Sequence, residues 1–279
     1  MRVLAIVLVL VLAACGPKPA ACPVMPEVPQ GPAFLWKVHK AGGPTLWLFG
    51  TVHDLGLDSV PPQALAALDG AARFASELGE EDADQDAIRE LLRQKSGPGI
   101  DQTLPPDDWY DLRDALSGRI KEDALRRARP WYALILLSQQ MSPKAKVSMD
   151  VDLGKRAKAK QLSIDALESW QEQMTALDRV VTVADLSEAI RARSRMRCEP
   201  ARLRAAYRTG DLELMTSLLV VERTAEPLLY ARNRAWQPRL EGYLADRGAF
   251  VAVGLAHMLT DQGLPARLAA AGYTVERVP

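Results

Sequence analysis

The sequence predicts an α/β fold: a mixed central sheet from two related β-α-β units, with a large helical insertion at about residues 82–160. Three observations predict it. Leu46–His53, LWLFGTVH, is an apolar run that carries Gly50 and ends in a histidine. Phe250–His257, FVAVGLAH, repeats that plan near the other end of the chain, with Gly254 and His257. Apolar runs closed by a glycine read as short buried strands turning into loops. Each run is followed by a helix pattern and a further strand, the order that gives parallel strands and a right-handed crossover. The segment between the two units reads as a succession of helices.

In chain order, residues 1–14 are a signal peptide and residues 15–32 a tether. Arg2 is the charged start, and the apolar stretch to Leu12 is too short for a permanent span. Leu12-Ala13-Ala14-Cys15 resembles a bacterial lipobox, with Cys15 the lipidated residue. Gly16 after it, rather than Asp, points to the outer membrane. Lys18–Pro32 holds five prolines and reads as an extended spacer. The expected setting is a bacterial cell envelope, with the protein lipid-anchored at Cys15 and facing the periplasm. There Cys22 and Cys198 can pair in an oxidising compartment, although spacing alone leaves two free thiols equally open.

The α/β domain occupies 33–279. Phe34–His39 and Thr45–Phe49 flank Gly42-Gly43 as a hairpin. Pro62 opens a helix that runs to Ala72, since a first-turn residue has no use for its N–H. Arg73–Leu78 is a strand that carries Glu77. Helices follow over Glu80–Lys95, from Pro105 to Leu116, over Glu122–Arg129 and Trp131–Met141 split at Pro130, and over Ser148–Lys160. Gln161–Leu167 is a strand that leads into Glu168. Further helices are expected over Trp170–Val181, Asp185–Tyr207, Asp211–Val221 and Glu226–Tyr243, the last carrying Arg232 and Asn233. Ala249–Gly254 is the strand that feeds His257, Asp261–Ala271 a helix and Tyr273–Val278 a closing strand.

Composition narrows the function. The 279 residues carry 35 basic and 35 acidic side chains, with a pI near 6.9. No basic stripe favours nucleic acid. The Arg-rich stretch Arg191–Arg208 is flanked by acids and reads as a solvated helix face. Gly-x-Ser-x-Gly, a P-loop and a dinucleotide fingerprint are all absent from the sequence. Cys198 lacks a histidine nearby in sequence to activate it.

Of the three histidines, His39 reads as a surface or packing residue, while His53 and His257 each follow a glycine by three positions at a strand end. In an open parallel sheet, ligands bind beyond the carboxyl ends of the strands. His53, His257, Glu77 and Glu168 are residue types that hold a divalent transition metal, manganese, iron, cobalt or zinc. Such an ion would acidify a bound water. The same histidines can also serve as general base and acid without metal, oriented by a glutamate. Arg232 and Asn233 are candidates to hold a substrate carboxylate or an oxyanion.

Taken together, FLWKV followed by LWLFGTVH, ASEL with Glu77, MDVDLGKRAKAK, ALESWQEQ with Glu168 and Gln173, ARNRAW, and FVAVGLAHMLTDQGLPARLAAAGYTVERV resemble the TraB/GumN family, within the wider Tiki and TraB-like superfamily. The resemblance runs from about Pro32 to the C-terminus. It implies a metal-dependent hydrolase, akin to membrane-tethered metalloproteases that use manganese or cobalt, with zinc a further option. It also implies distant kinship to erythromycin esterase and to haem-binding lipoproteins. By that resemblance His53, Glu77 and His257 are the metal and catalytic set, Arg232 a catalytic or substrate-steadying residue, and Asn233 and Glu168 its neighbours at the substrate. The expected partners are a membrane, through Cys15, and a peptide or small-molecule substrate. The alternative is a lipoprotein that captures haem or another small ligand without catalysis. Asp54 and Met258-Leu259-Thr260 depart from the commoner residues of relatives beside the two histidines.

Overall fold

The computed structural model describes residues 30–53, 55–79, 85–141, 148–196 and 198–279. The expected signal peptide, the lipidation site Cys15, Cys22, nearly all of the tether and Asp54 lie outside these residues.

The first hairpin forms as expected, with β1 (Leu35–His39) antiparallel to β2 (Leu46–Thr51). After β2 the chain passes His53 and enters α1 (Pro62–Asp69), with proline in its first turn. It returns as β3 (Arg73–Leu78). Then come α2 (Gln85–Leu91), α3 (Ile100–Thr103), α4 (Pro106–Ala115), α5 (Glu122–Arg126), α6 (Pro130–Met141) and α7 (Met149–Ala159). Next are β4 (Ser163–Glu168), α8 (Trp170–Val180), α9 (Val183–Met196), α10 (Glu199–Thr209), α11 (Leu212–Leu219) and α12 (Glu222–Ala225). A wide π turn at Glu226–Tyr230 leads into α13 (Ala231–Ala245). The chain closes with β5 (Ala249–Gly254), α14 (Leu264–Ala270) and β6 (Thr274–Arg277).

The sheet is mixed, in the order β4-β3-β5-β2-β1-β6. Strands β4, β3, β5 and β2 run parallel, while β1 is antiparallel to both β2 and β6. The two β-α-β units interleave rather than sit side by side. Strand β5 of the second unit lies between β2 and β3 of the first, and β2 and β1 separate β5 from β6. Register places Thr51 beside Gly254 and Leu78 beside Glu168. Four parallel strands therefore deliver their C-terminal ends to one edge.

Two apolar cores form. The sheet core contains Phe34, Leu48, Phe49, Phe74, Phe250, Val251 and Trp236, among others. The helical core is built by Ile100, Leu104, Trp109, Leu112, Leu116, Leu125 and Leu137, closed by Leu186 and Ile190. The helical insertion stands between β3 and β4 as expected, as α2 to α7, but it is not a single packing unit. Helix α7 buries Met149, Leu153 and Ala157 against the sheet, and α9, further along the chain, completes the helical lobe. The apolar stripes decide this: α7 has an i, i+4, i+8 stripe that fits a sheet face.

Two of the expected helices differ in detail. The stretch Asp185–Tyr207 divides into α9 and α10, with Cys198 as the cap between them. Cys198 is disulfide-bonded, which removes it as an activated thiol. The helix expected from Glu226 opens as the π turn. Pro238 is accommodated inside α13.

Candidate functional site

The two glycines of the Gly-x-x-His runs have separate jobs. A Cβ on Gly50 would lie 2.5 Å from Leu255 Cδ1, so the glycine lets the turn after β5 pack onto β2. A Cβ on Gly254 would crowd Glu77 Oε1 at 3.2 Å. With no side chain there, the Gly254 N–H donates to that carboxylate at 2.8 Å. This is how β5 and β3 bring His257 and Glu77 to one place.

The residues at the sheet edge form a floor organised on Arg232. Its Nη2 donates to Glu77 Oε2 at 2.6 Å and to Glu168 Oε1 at 2.5 Å. Its Nε donates to Glu168 Oε2 at 3.0 Å. Its Nη1 donates to the Leu228 carbonyl at 2.9 Å and faces His257 Nε2 at 3.0 Å. A guanidinium has five N–H donors, and these contacts use all five. The π turn matters here, because Leu228 belongs to it. Trp236, one turn along α13, packs under the guanidinium at 4.8 Å and against the His257 ring at 4.4 Å.

Asn233 is fully buried and equally committed. Its Nδ2 donates to the carbonyls of His257 and Gln262, at 3.1 and 3.0 Å. That leaves Oδ1 to accept from His257 Nδ1 at 2.7 Å. The network assigns the proton of a neutral His257 to Nδ1, so Nε2 is the acceptor facing Arg232. Burial pushes the His257 imidazole down to about 4; the Glu77 charge opposes this and the Arg232 charge adds to it. Burial works to raise the Glu77 carboxyl, but the charges of His257 and Arg232 and the Gly254 N–H outweigh it, to about 2. Glu168 is raised by burial, against the pull of Arg232. Gln173 on α8 completes the floor, donating to Glu77 Oε2 at 3.0 Å.

His53 sits apart from this network, with its side chain 77% exposed. Its Nδ1 lies 2.5 Å from Asp150 Oδ2, and Thr51 Oγ1 donates to Asp150 Oδ1 at 2.5 Å. Asp150 stands in the first turn of α7, after the capping residue Ser148. A carboxylate is favoured there by the helix dipole.

Both groups line one cleft of about 1010 Å³. Its polar side includes Thr51, His53, Glu77, Gln173, Arg232 and His257. Its apolar wall is built by Ile135, Leu177, Leu203, Leu219, Leu228 and Leu229.

The structure thus brings Glu77, Glu168, Arg232, Asn233 and His257 together and pairs His53 with a different partner. Among the described residues, no three His, Cys, Asp or Glu side chains converge to hold a metal ion. The donor set at the floor does not fit one. The Glu77 oxygens and the outward nitrogen of His257 already face N–H donors, and the charge beside them is a buried cation. Nor do Arg232 and Asn233 keep a donor for a substrate in this arrangement. They position His257 and Glu77 instead. Asp150 is not anticipated by the sequence pattern, because an acid in a helix's first turn ordinarily serves the helix. Only its place in the motif MDVDLGKRAKAK marked the segment.

A mixed sheet with parallel central strands and a cleft at their carboxyl ends is an α/β architecture of the kind in which ligands bind beyond the strand ends. The chain belongs to the TraB/PrgY/gumN family, whose model matches residues 34–277. No curated protein and no solved structure matches it.

Proposed function

We propose that the protein is a hydrolase of peptide or other acyl bonds, held to a bacterial membrane through a lipid on Cys15, with His53 as its proton-transfer group. The observation that carries this is the His53–Asp150 pair at 2.5 Å on the wall of the cleft. A carboxylate on Nδ1 fixes the tautomer and orientation of an imidazole and offsets the charge it gains. His53 takes a proton from water as the oxygen adds to the acyl carbon, then returns it to the leaving group. Asp150 and Thr51 hold the ring. Glu77, Arg232, His257 and Asn233 form a rigid, charge-compensated floor that keeps the cleft edge in register. The resemblance to metal-dependent relatives implies manganese or cobalt, but the donor set at the floor does not fit an ion.

The test is turnover of a peptide and ester library by the full-length protein in detergent micelles, with and without added manganese, cobalt or zinc. His53→Ala and Asp150→Asn should each lower kcat by about a hundredfold or more. Unchanged turnover in His53→Ala would overturn the assignment. The apolar wall of the cleft favours a second reading, capture of haem or another apolar ligand without chemistry. Absence of turnover with every substrate, together with a Soret band on haem titration, would establish that reading instead.

A further inference from the structure

The charges around the cleft do not balance in one place. Glu77 is paired with Arg232, and His53 with Asp150. Arg232 spends its donors on the floor. Arg119 is the remaining charged residue of the lining. It enters from the helical lobe, in the loop between α4 and α5, and is exposed. Among the described residues it has no carboxylate partner, and its one side-chain bond is a long 3.4 Å contact to the Leu136 carbonyl. Ser138 and Gln139 line the cleft from the same lobe, as does apolar Ile135. Leu177, Leu203, Leu219, Leu228 and Leu229 add an apolar stretch to the wall.

From this we infer that the cleft selects a ligand with an apolar body and one carboxylate, and that Arg119 is the residue that reads the carboxylate. A guanidinium with donors to spare matches a carboxylate fork. The apolar wall takes the body of the ligand, as such clefts do. Such a ligand is a substrate (the peptide acid) or a product (the fatty acid) of the proposed hydrolase, and only the chemistry after binding rests on that reading. The shared chemistry, carboxylate on an apolar chain, has two sources: a fatty acid, or a peptide ending in apolar residues.

Calorimetric titration of the full-length protein in micelles separates them. The probes are dodecanoate against dodecylammonium, and N-acetyl-trileucine as the free acid against its amide. At least one acid should bind roughly tenfold tighter than its uncharged or cationic counterpart, about 1.4 kcal/mol. Arg119→Gln should erase that preference while leaving the weaker apolar binding. Preference for dodecanoate alone assigns the fatty-acid source, and preference for the peptide acid alone assigns the C-terminal source. Equal binding of acid and counterpart, a preference that survives Arg119→Gln, or no binding of any probe would overturn the inference. His53→Ala, titrated in parallel, separates the two claims. It should lose turnover and keep the preference, so failure of the hydrolase reading leaves this result standing, and the reverse.

Discussion

The sheet lobe and the helical lobe face each other across the cleft, and they handle buried charge in opposite ways. The sheet lobe gathers Glu77, Arg232, Glu168, His257 and Asn233 into one closed network in which every guanidinium donor is used. The helical lobe is apolar inside. Among the described residues it has one buried acid, Asp108 on α4, braced by Ser187 and by Arg191 of α9. Its contribution to the cleft includes an arginine that is hardly tied down. Buried networks that are fully satisfied rigidify a structure, and half-satisfied ones destabilise it. The two lobes therefore divide the labour. The sheet side supplies a fixed platform that has no spare hydrogen-bonding capacity, and the helical side supplies groups able to adapt to a ligand.

Removing the keystone tests this hardest. Arg232→Met leaves the buried Glu168 and the part-buried Glu77 without a counter-charge and His257 without its donor. Breaking a buried ion pair by removing one partner costs about 3–5 kcal/mol, and urea unfolding should show a loss of that size. Arg232→Lys should recover little, because a lysine cannot supply five fixed donors. A loss below about 1 kcal/mol in Arg232→Met would mean that the platform does not depend on its cation.

Acid should find the same platform next. His257 titrates at about 4 in the folded chain and near 6.5 when unfolded. Between those values the unfolded state binds the extra proton, so stability is fully present above pH 6.5 and falls toward pH 4. The difference corresponds to about 3 kcal/mol. Glu77 acts in the same direction at lower pH: its folded value of about 2 makes its contribution present above about 4.5 and lost as pH falls toward 2. Unfolding free energies measured from pH 7 to pH 3 should therefore slope downward from about 6.5. His257→Gln should flatten the first part of that slope. An unchanged profile would show that His257 does not govern it.

Much of the frame was legible in the sequence. Arg73–Leu78 and Ala249–Gly254 are strands at the residues expected, because short apolar runs bounded by glycine or turn residues leave little choice of period. The interleaving of the strands was not legible. Strand order depends on which sheet faces can be covered, and no local signal carries it. The site was legible as a membership, since Glu77, Glu168, Arg232, Asn233 and His257 do meet. Its connectivity was not: sequence spacing cannot tell whether an arginine on α13 faces substrate or fills the gap between two glutamates. Asp150 escaped for a related reason, its partner His53 lying 97 positions away. The helical insertion was legible, but its packing was not, because α9 shares a core with helices that precede it by a whole strand and helix.

A smaller effect belongs to the helical lobe. Asp108 is held below the usual carboxylate range by Arg191 and Ser187, against its burial. Arg191 itself is largely exposed, with its side chain 62% accessible. Asp108→Asn keeps the shape and a hydrogen-bonding group while removing one charge from a pair that water partly screens. The loss should be about 1 kcal/mol, well below that of Arg232→Met. If the two losses prove equal in urea, the lobes do not differ in how they carry charge.

Of the variants considered, His53→Ala has the smallest effect on stability, and set beside His257 it gives the sharpest contrast. They stand at matching places in the two β-α-β units, yet His257 is 3% exposed and His53 has a side chain 77% exposed. His53→Ala removes an exposed ring from the end of β2 and should change the unfolding free energy by no more than about 0.5 kcal/mol. His257→Ala opens a cavity against Trp236 and strands the Asn233 carbonyl oxygen, so it should cost about 2–4 kcal/mol. Matching places in a repeated unit do not impose matching roles, because the surroundings decide what an imidazole can do. Equal losses in the two variants would mean that His53 is also a structural residue, and the proton-transfer role assigned to it would fall with that result.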